Sequence, residues 1–299
     1  MTPQVSRLIA VAAAALIVAI IVLTRKAWTS TLGHSGPSIW RIAKMTVSEA
    51  RRMRVLQGVV LLVVLIMASV SFFSFLSPRE QSRMVISSGL TSIAAFGMLL
   101  AIFVGAFLIP HEIEKRTIYA ILSKPVRRFE FVLGKYVGAL IILAVMVAIM
   151  TAMLCLVLAI QDHIVVDLPD SKFDPNLGGV VFAAAMSFCS LAVVTGVILL
   201  VSTVASTVMT VISAVVIWVL GSLQSQLHDM AANAAPVAKV ILLALYFVAP
   251  KLQDFDFRME VSNYLPLSAH GAVDAVGVGI LYTAVVLALA TIFFNDRQV

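Results

Sequence analysis

The chain has 299 residues, of which 61% are hydrophobic and only 12% charged, with a net charge of +6. A soluble domain carries roughly twice that charged fraction, so there is too little charge here to cover a soluble surface. A mean hydropathy of +1.06 marks an integral membrane protein and sets aside soluble enzymes, nucleic-acid binders and disordered scaffolds.

A helix needs about 20 apolar residues to cross the hydrocarbon. Seven runs meet or approach that length: 8–23, 55–76, 88–109, 136–160, 179–201, 208–227 and 272–294. None holds a charge near its middle, and Asp274 sits at one end of the last. An eighth run, 237–249, is short and bracketed by Pro236 and Pro250. That length suits a re-entrant or interfacial helix better than a span. If it crossed, every later segment would flip.

The first run follows Arg7 and has the look of a signal peptide. No small-residue cleavage site follows it, and cleavage would leave the densest basic segment outside. It is expected to stay as an uncleaved anchor.

Orientation follows from the Lys/Arg bias. Fourteen of the 21 basic residues fall between the first and second runs, between the third and fourth, or after the last (Arg297). The opposite loops hold the other seven, together with acids such as Asp162, Asp170, Asp229 and Asp254. The basic side is the cytoplasmic one. The C-terminus is therefore expected inside and the short N-terminus outside.

Residues 38–54 read as an amphipathic interfacial helix. Ile39, Ile42, Ala43, Val47, Ala50 and Met53 recur at helical spacing, and Arg41, Lys44, Ser48, Arg51 and Arg52 take the other side. Ser38, after Gly36-Pro37, is the expected N-cap. Trp40 suits the headgroup level. A basic helix of this kind lies on the cytoplasmic surface, attracted by anionic lipid. It serves either as a simple anchor or as an elbow that moves with the first core span.

Residues 110–135 carry nine charged side chains, yet the segment is not a flexible linker. Glu112 and Arg116 stand four apart, which supports a helix. Ile113, Thr117, Ala120 and Ile121 form one stripe, while Tyr119 and Leu122 project elsewhere. Pro125 disfavours helix at Lys124, so the loop should run helix, break, helix. From the residues alone, a solvated hairpin and a partner-docking loop stand equal.

Within the spans, Met146, Met150 and Met153 form a helical stripe near Cys155, and Met186 and Cys189 lie in the next run. Soft sulfur suits Cu(I), but gap-filling packing explains the stripe better. The two cysteines do not read as a disulfide framework. Gly134 and Gly138 have the spacing for close helix approach, although they lie at a membrane edge. The Ser/Thr-rich stretch 195–213 could line a pathway or hydrogen-bond between helices.

There is no phosphate-binding Gly-x-x-x-x-Gly-Lys-Ser/Thr motif, because Gly134-Lys135 lacks the earlier glycine and Tyr136 follows. No intramembrane carboxylate or lysine marks an ion relay. A secondary transporter is disfavoured on that ground. Any nucleotide is expected on another chain.

The run Glu112-Ile-Glu-Lys-Arg-Thr-Ile, then Leu122-Ser-Lys-Pro-Val-Arg-Arg, then Phe131-Val-Leu-Gly-Lys-Tyr resembles the cytoplasmic loop of ABC exporter permeases of the type 2 membrane family. That pattern has an acidic residue, a Thr, a Leu-Leu-Ser-x-Pro turn, and Leu-Gly-Lys entering the next span. Ile121-Leu122 stands where two leucines are common, and Arg116 where a glycine is frequent. The likeness runs from about Trp40 to Val299 and takes in the stretch 250–256 and the Phe-Phe-Asn-Asp-Arg ending. The extra leading run 8–23 departs from it.

The resemblance implies an all-α polytopic membrane protein, with a six-span exporter permease core preceded by an amphipathic elbow helix and one extra N-terminal span. It divides the chain into an anchor and linker (1–37) and a permease domain (38–299) with a coupling loop (110–135). It implies a permease subunit of an ATP-driven ABC transporter in the bacterial cytoplasmic (inner) membrane. The loop would form a coupling helix docked on a separate ATP-binding subunit. Glu112, Glu114, Lys115, Arg116, Thr117, Ile118 and Leu122 would sit at that contact, with Pro125 fixing the turn. A second contact would come from Ser202, Thr203, Ser206 and Thr207. The chain itself would be no enzyme, since ATP and Mg would be bound by the partner, and two permeases would pair as a homodimer or heterodimer amid lipid, without nucleic acid. The alternative is a non-transport anchor or assembly factor that recruits a cytoplasmic partner through the same loop.

Overall fold

The computed structural model describes residues 32–52, 81–108, 128–165, 177–224, 249–266 and 269–296, with the single residues 58, 226 and 230. The expected runs 8–23 and 55–76, the coupling loop through residue 127, and nearly all of 237–249 lie outside them. Among the described residues the chain is helical and has no strand. The helices are α1 (Leu32–Arg52), α2 (Gln81–Leu108), α3 (Arg128–Val165), α4 (Leu177–Val204) and α5 (Thr207–Ser222). A short 3-10 turn (Gln253–Phe255) leads to α6 (Arg258–Ser262) and α7 (Ala269–Asp296).

Four of these are long and apolar enough to cross a membrane: Arg83–Ala106, Arg128–Ala159, Leu177–Val204 and His270–Phe294. They correspond to four of the six expected core spans. The expected run 208–227 corresponds to α5, an apolar helix of only 16 residues, with a turn at Leu223. The fold is that of an all-α polytopic membrane protein.

The elbow begins earlier than its sequence suggested. The chain is already helical at Leu32, and Pro37 lies inside the helix, so Ser38 is not its N-cap. A proline this near a helix start deprives only one carbonyl of its partner. Arg41 Nε then donates to the Pro37 carbonyl at 3.2 Å. The two faces fall as their spacing dictates: Ala43, Thr46 and Ala50 are buried, while Trp40, Arg41, Lys44, Arg51 and Arg52 are exposed.

α4 sits at the centre, in contact with α2, α3, α5 and α7. It is apolar on every side, as a membrane span can be, and Val193 through Leu199 are all buried. Lipid gives no hydrophobic drive for helices to associate, so close packing must hold them. α2 supplies it with glycines eight residues apart. A Cβ on Gly97 or Gly105 would lie 2.5 Å from Leu191 Cδ1 or Ile198 Cγ2 of α4. The Tyr136 hydroxyl donates to the Ala192 carbonyl at 3.1 Å and ties α3 to α4.

Four of the hydroxyls of 195–213 do something other than bridge helices. Those of Thr195, Ser202, Thr210 and Ser213 donate to carbonyls three or four residues back in their own helix or its N-cap. In an apolar setting this local bond satisfies the hydroxyl without a second helix. Met146 and Met150 are buried in one apolar cluster with Leu143 and Leu154.

Candidate functional site

The coupling residues Glu112, Glu114, Lys115, Arg116, Thr117, Ile118, Leu122 and Pro125 lie outside the described residues. The helix that leaves their loop is described, and its first turns are fastened on two sides. On one side α1 lies directly against it. A Cβ on Gly134 would come 2.7 Å from Ile42 Cβ and 3.1 Å from the Ile39 carbonyl oxygen. One on Gly138 would come 2.7 Å from Thr46 Cβ and 3.1 Å from the Ala43 carbonyl oxygen. Any side chain larger than hydrogen would push the two backbones apart. The paired glycines thus seat the elbow helix, a use that their spacing allowed but could not assign.

Between the glycines, Lys135 reaches the Glu49 carboxylate of α1 at 3.7 Å; the lysine is 2% exposed and the glutamate 38%. The same ammonium stands 5.8 Å from the centre of the Phe131 ring. On the other side, Arg128 Nη1 donates to the Phe294 carbonyl near the end of α7 at 3.1 Å. Phe131 and Phe294 stack at 5.5 Å between centroids. Val104, Phe131, Val132, Leu199 and Phe294 share one apolar cluster. The ends of α2, α3, α4 and α7 therefore form a collar around the mouth of the loop. Glu49 was not singled out by sequence, because nothing in its spacing points to a partner nearly ninety residues away.

The second expected contact is a two-residue link. α4 ends at Val204, Ser206 is extended (φ −72°, ψ 165°), and α5 starts at Thr207. The four residues divide. Ser202 and Thr203 are 0% exposed and return their hydroxyls to the Leu199 and Leu200 carbonyls. Ser206 is exposed and Thr207 half-buried. Val204, Val208 and Met209 flank them as exposed apolar side chains.

At the opposite end of the same helices, residues 250–258 cross the bundle as a strap. Leu252, Phe255 and Phe257 are its buried teeth. Phe255 seats on Gly279 of α7, where a Cβ would lie 2.8 Å from its ring. Phe257 meets Phe182 of α4 edge-on at 5.4 Å. Gln253 Nε2 donates to the Ser222 carbonyl of α5 at 2.7 Å. Arg258 donates through Nε to Asp256 Oδ1 at 2.6 Å and through Nη1 to Thr91 Oγ1 of α2 at 3.3 Å. Burial alone would raise the Asp256 carboxyl, but hydrogen bonds from Arg258 and its charge hold it below the ordinary value. Asp256 in turn raises Arg258, against the opposing effect of burial. Beneath the strap, α2, α4 and α5 line a half-open cavity of about 460 Å³.

No group of three His, Cys, Asp or Glu side chains that could hold a metal occurs among the described residues. No curated protein matches the chain. A family profile described as ABC-2 family transporter protein matches residues 40–299, from the elbow helix to the last residue. The chain belongs to the ABC-2 family of transporter proteins and is a membrane permease component of an ABC transporter, a role that implies an ATP-binding partner subunit.

Proposed function

We propose that the chain is the permease of an exporter, and that ATP hydrolysis by the partner subunit drives it through the loop 110–135. Glu112, Glu114, Lys115, Arg116, Thr117, Ile118 and Leu122 meet the partner, and Pro125 turns the chain back toward α3. ATP and Mg bind on the partner, two permeases pair, and the C-terminus faces the cytosol of a bacterial cell. The observation that supports this most is the collar. A push on the loop arrives at α3, and α3 is bound to the elbow at Gly134, Lys135 and Gly138 and to α7 at Arg128. The helices would then tilt together, as rigid-body alternating access requires. At the second contact, Ser206, Thr207 and the exposed Val208 face the partner, while Ser202 and Thr203 hold the link in shape.

Two measurements test the reading. A Lys115→Cys variant should be modified by a membrane-impermeant thiol reagent in inverted vesicles and spared in intact cells. The purified complex should hydrolyse ATP, and the double variant Glu112→Lys/Arg116→Glu should insert normally yet lose coupling between hydrolysis and transport. Modification from outside intact cells would invert the topology and remove the mechanism. A chain that retains a partner without ATP turnover would instead be an anchor or assembly factor.

A further inference from the structure

The cavity under the strap is absorbed by none of the roles above. At about 460 Å³ it lies within the range of sites for drug-sized ligands, and it is too small for a two-chain phospholipid. Its walls are of two kinds. Trp218 and Phe255 offer flat faces, and Met98, Leu191 and Leu252 an apolar floor. Thr91, Ser187, Ser190, Ser222 and Gln253 bring neutral hydrogen-bonding groups from three helices and the strap.

Among the described residues the charged lining is a single pair, Asp256 and Arg258, already joined by a hydrogen bond of 2.6 Å. Lys251 and Asp254 of the same strap are exposed and stand outside the lining. The described lining is therefore balanced in charge. A ligand with net charge would have to break the pair or bring an uncompensated charge into a half-buried place, and both are costly. A neutral ligand meets neither penalty. Its apolar body can lie on Trp218 and Leu191, and its hydroxyl or amide can reach the serine wall.

We propose that this cavity binds a net-neutral amphiphile, with an apolar body and a hydroxyl- or amide-bearing end, beneath a strap latched by Arg258. That such a molecule is also the one transported rests on the permease reading; its binding here does not.

Trp218 is one of three tryptophans in the chain, with Trp28 and Trp40, so replacing those two by Phe leaves it as the only fluorophore of its kind. The test titrates this protein, in nanodiscs of unlabelled phosphatidylcholine, with three alkyl nitroxide quenchers. They share one body and carry a hydroxyl, a carboxylate or a trimethylammonium head. The hydroxyl probe should quench Trp218 saturably, and the two charged probes should bind about tenfold more weakly or worse. Ala94→Phe from the α2 wall and Ser190→Leu from the α4 wall should each abolish the saturable part and leave the linear quenching by probe dissolved in lipid. Both variants are first checked for an unchanged unfolding midpoint, and either one that passes suffices. Quenching that is linear in every variant, or a charged probe that binds as tightly as the neutral one, overturns the proposal. ATP-dependent movement of the hydroxyl probe by the reconstituted complex is scored separately. Its absence counts against the permease reading and leaves a saturable site standing.

Discussion

At the collar, helix backbones touch across Gly134 and Gly138, and a lysine with 2% exposure meets a carboxylate from another helix. At the strap, the charged pair Asp256–Arg258 is local to residues 250–258, each side chain about a third exposed, and the strap sits on Gly221 and Gly279 beside a half-open cavity. The first arrangement leaves no room for a shift of one helix against the other. The second has the same kind of glycine seat, with exposed side-chain hydrogen bonds beside it that can break and reform one at a time. On the proposed reading, force would enter at the buried pair and cargo would be handled beside the exposed one. In lipid, where apolar surface alone does not hold helices together, stiffness comes from glycine-mediated approach.

The largest effects are expected at the glycines. Gly138→Leu or Gly134→Leu should destabilise the protein by about 3 kcal/mol and detach the elbow, which thermal unfolding and size-exclusion profiles of the detergent-purified protein would register. Gly277→Ala on α7, where a Cβ meets nothing within 4 Å, should be tolerated and serves as the control. Next comes the ion pair, whose two halves should not be equivalent. Glu49→Ala takes one carboxylate from a buried ammonium that keeps other contacts and should cost about 1 to 2 kcal/mol. Lys135→Met keeps the stem over Phe131 and leaves a carboxylate that water can reach, so it should cost under about 1 kcal/mol. A double-mutant cycle by thermal unfolding checks both values.

Arg258→Ala should have a smaller effect on stability, about 1 kcal/mol or less, because both members of its pair are about a third exposed. It should nonetheless speed thiol labelling of a cysteine at Ser222. The same pair carries a pH dependence of known sign. The Asp256 carboxyl is held below its ordinary value, so its contribution is complete above the ordinary carboxylate range. It is lost as pH falls through the lowered value. Acid should thus loosen the strap of the wild type and have no further effect on labelling in Asp256→Asn. The mildest change is Ser206→Ala. Ser206 stands at the N-cap of α5 but makes no side-chain capping bond, so its loss should cost under about 0.5 kcal/mol, less than a working cap.

The spans were the most legible part of the sequence. Runs 88–109, 136–160, 179–201 and 272–294 lie within α2, α3, α4 and α7 to within a residue at their ends, because uninterrupted apolar length is a local property. The faces of the elbow were legible for the same reason, since Ala43 and Ala50 recur at helical spacing. Its start was not, because Gly36-Pro37 carries the signal of a helix boundary and the helix runs through it. What joins distant segments was hidden. Gly134 and Gly138 advertised close approach but not to what, and Glu49 and Lys135 lie far apart in sequence. The hydroxyls of 195–213 looked able to bridge helices, and those of Thr195, Ser202, Thr210 and Ser213 turned back on nearby carbonyls instead. The stretch 250–256 carried a likeness without a role. Its role depends on where Leu252 and Phe255 are inserted, and only the folded chain defines that.

On the proposed mechanism, α1 and the start of α3 move as one body when the partner hydrolyses ATP. Pulsed electron paramagnetic resonance tests it on the complex with its ATPase subunit, with Cys155 and Cys189 replaced by Ala. Spin labels go at two exposed pairs of sites: Trp40→Cys with Val145→Cys, and Trp40→Cys with Leu265→Cys. The Trp40–Val145 separation should be the same without nucleotide and in the ATP-trapped state, while Trp40–Leu265 should change. A change in the Trp40–Val145 separation between the two states would contradict it.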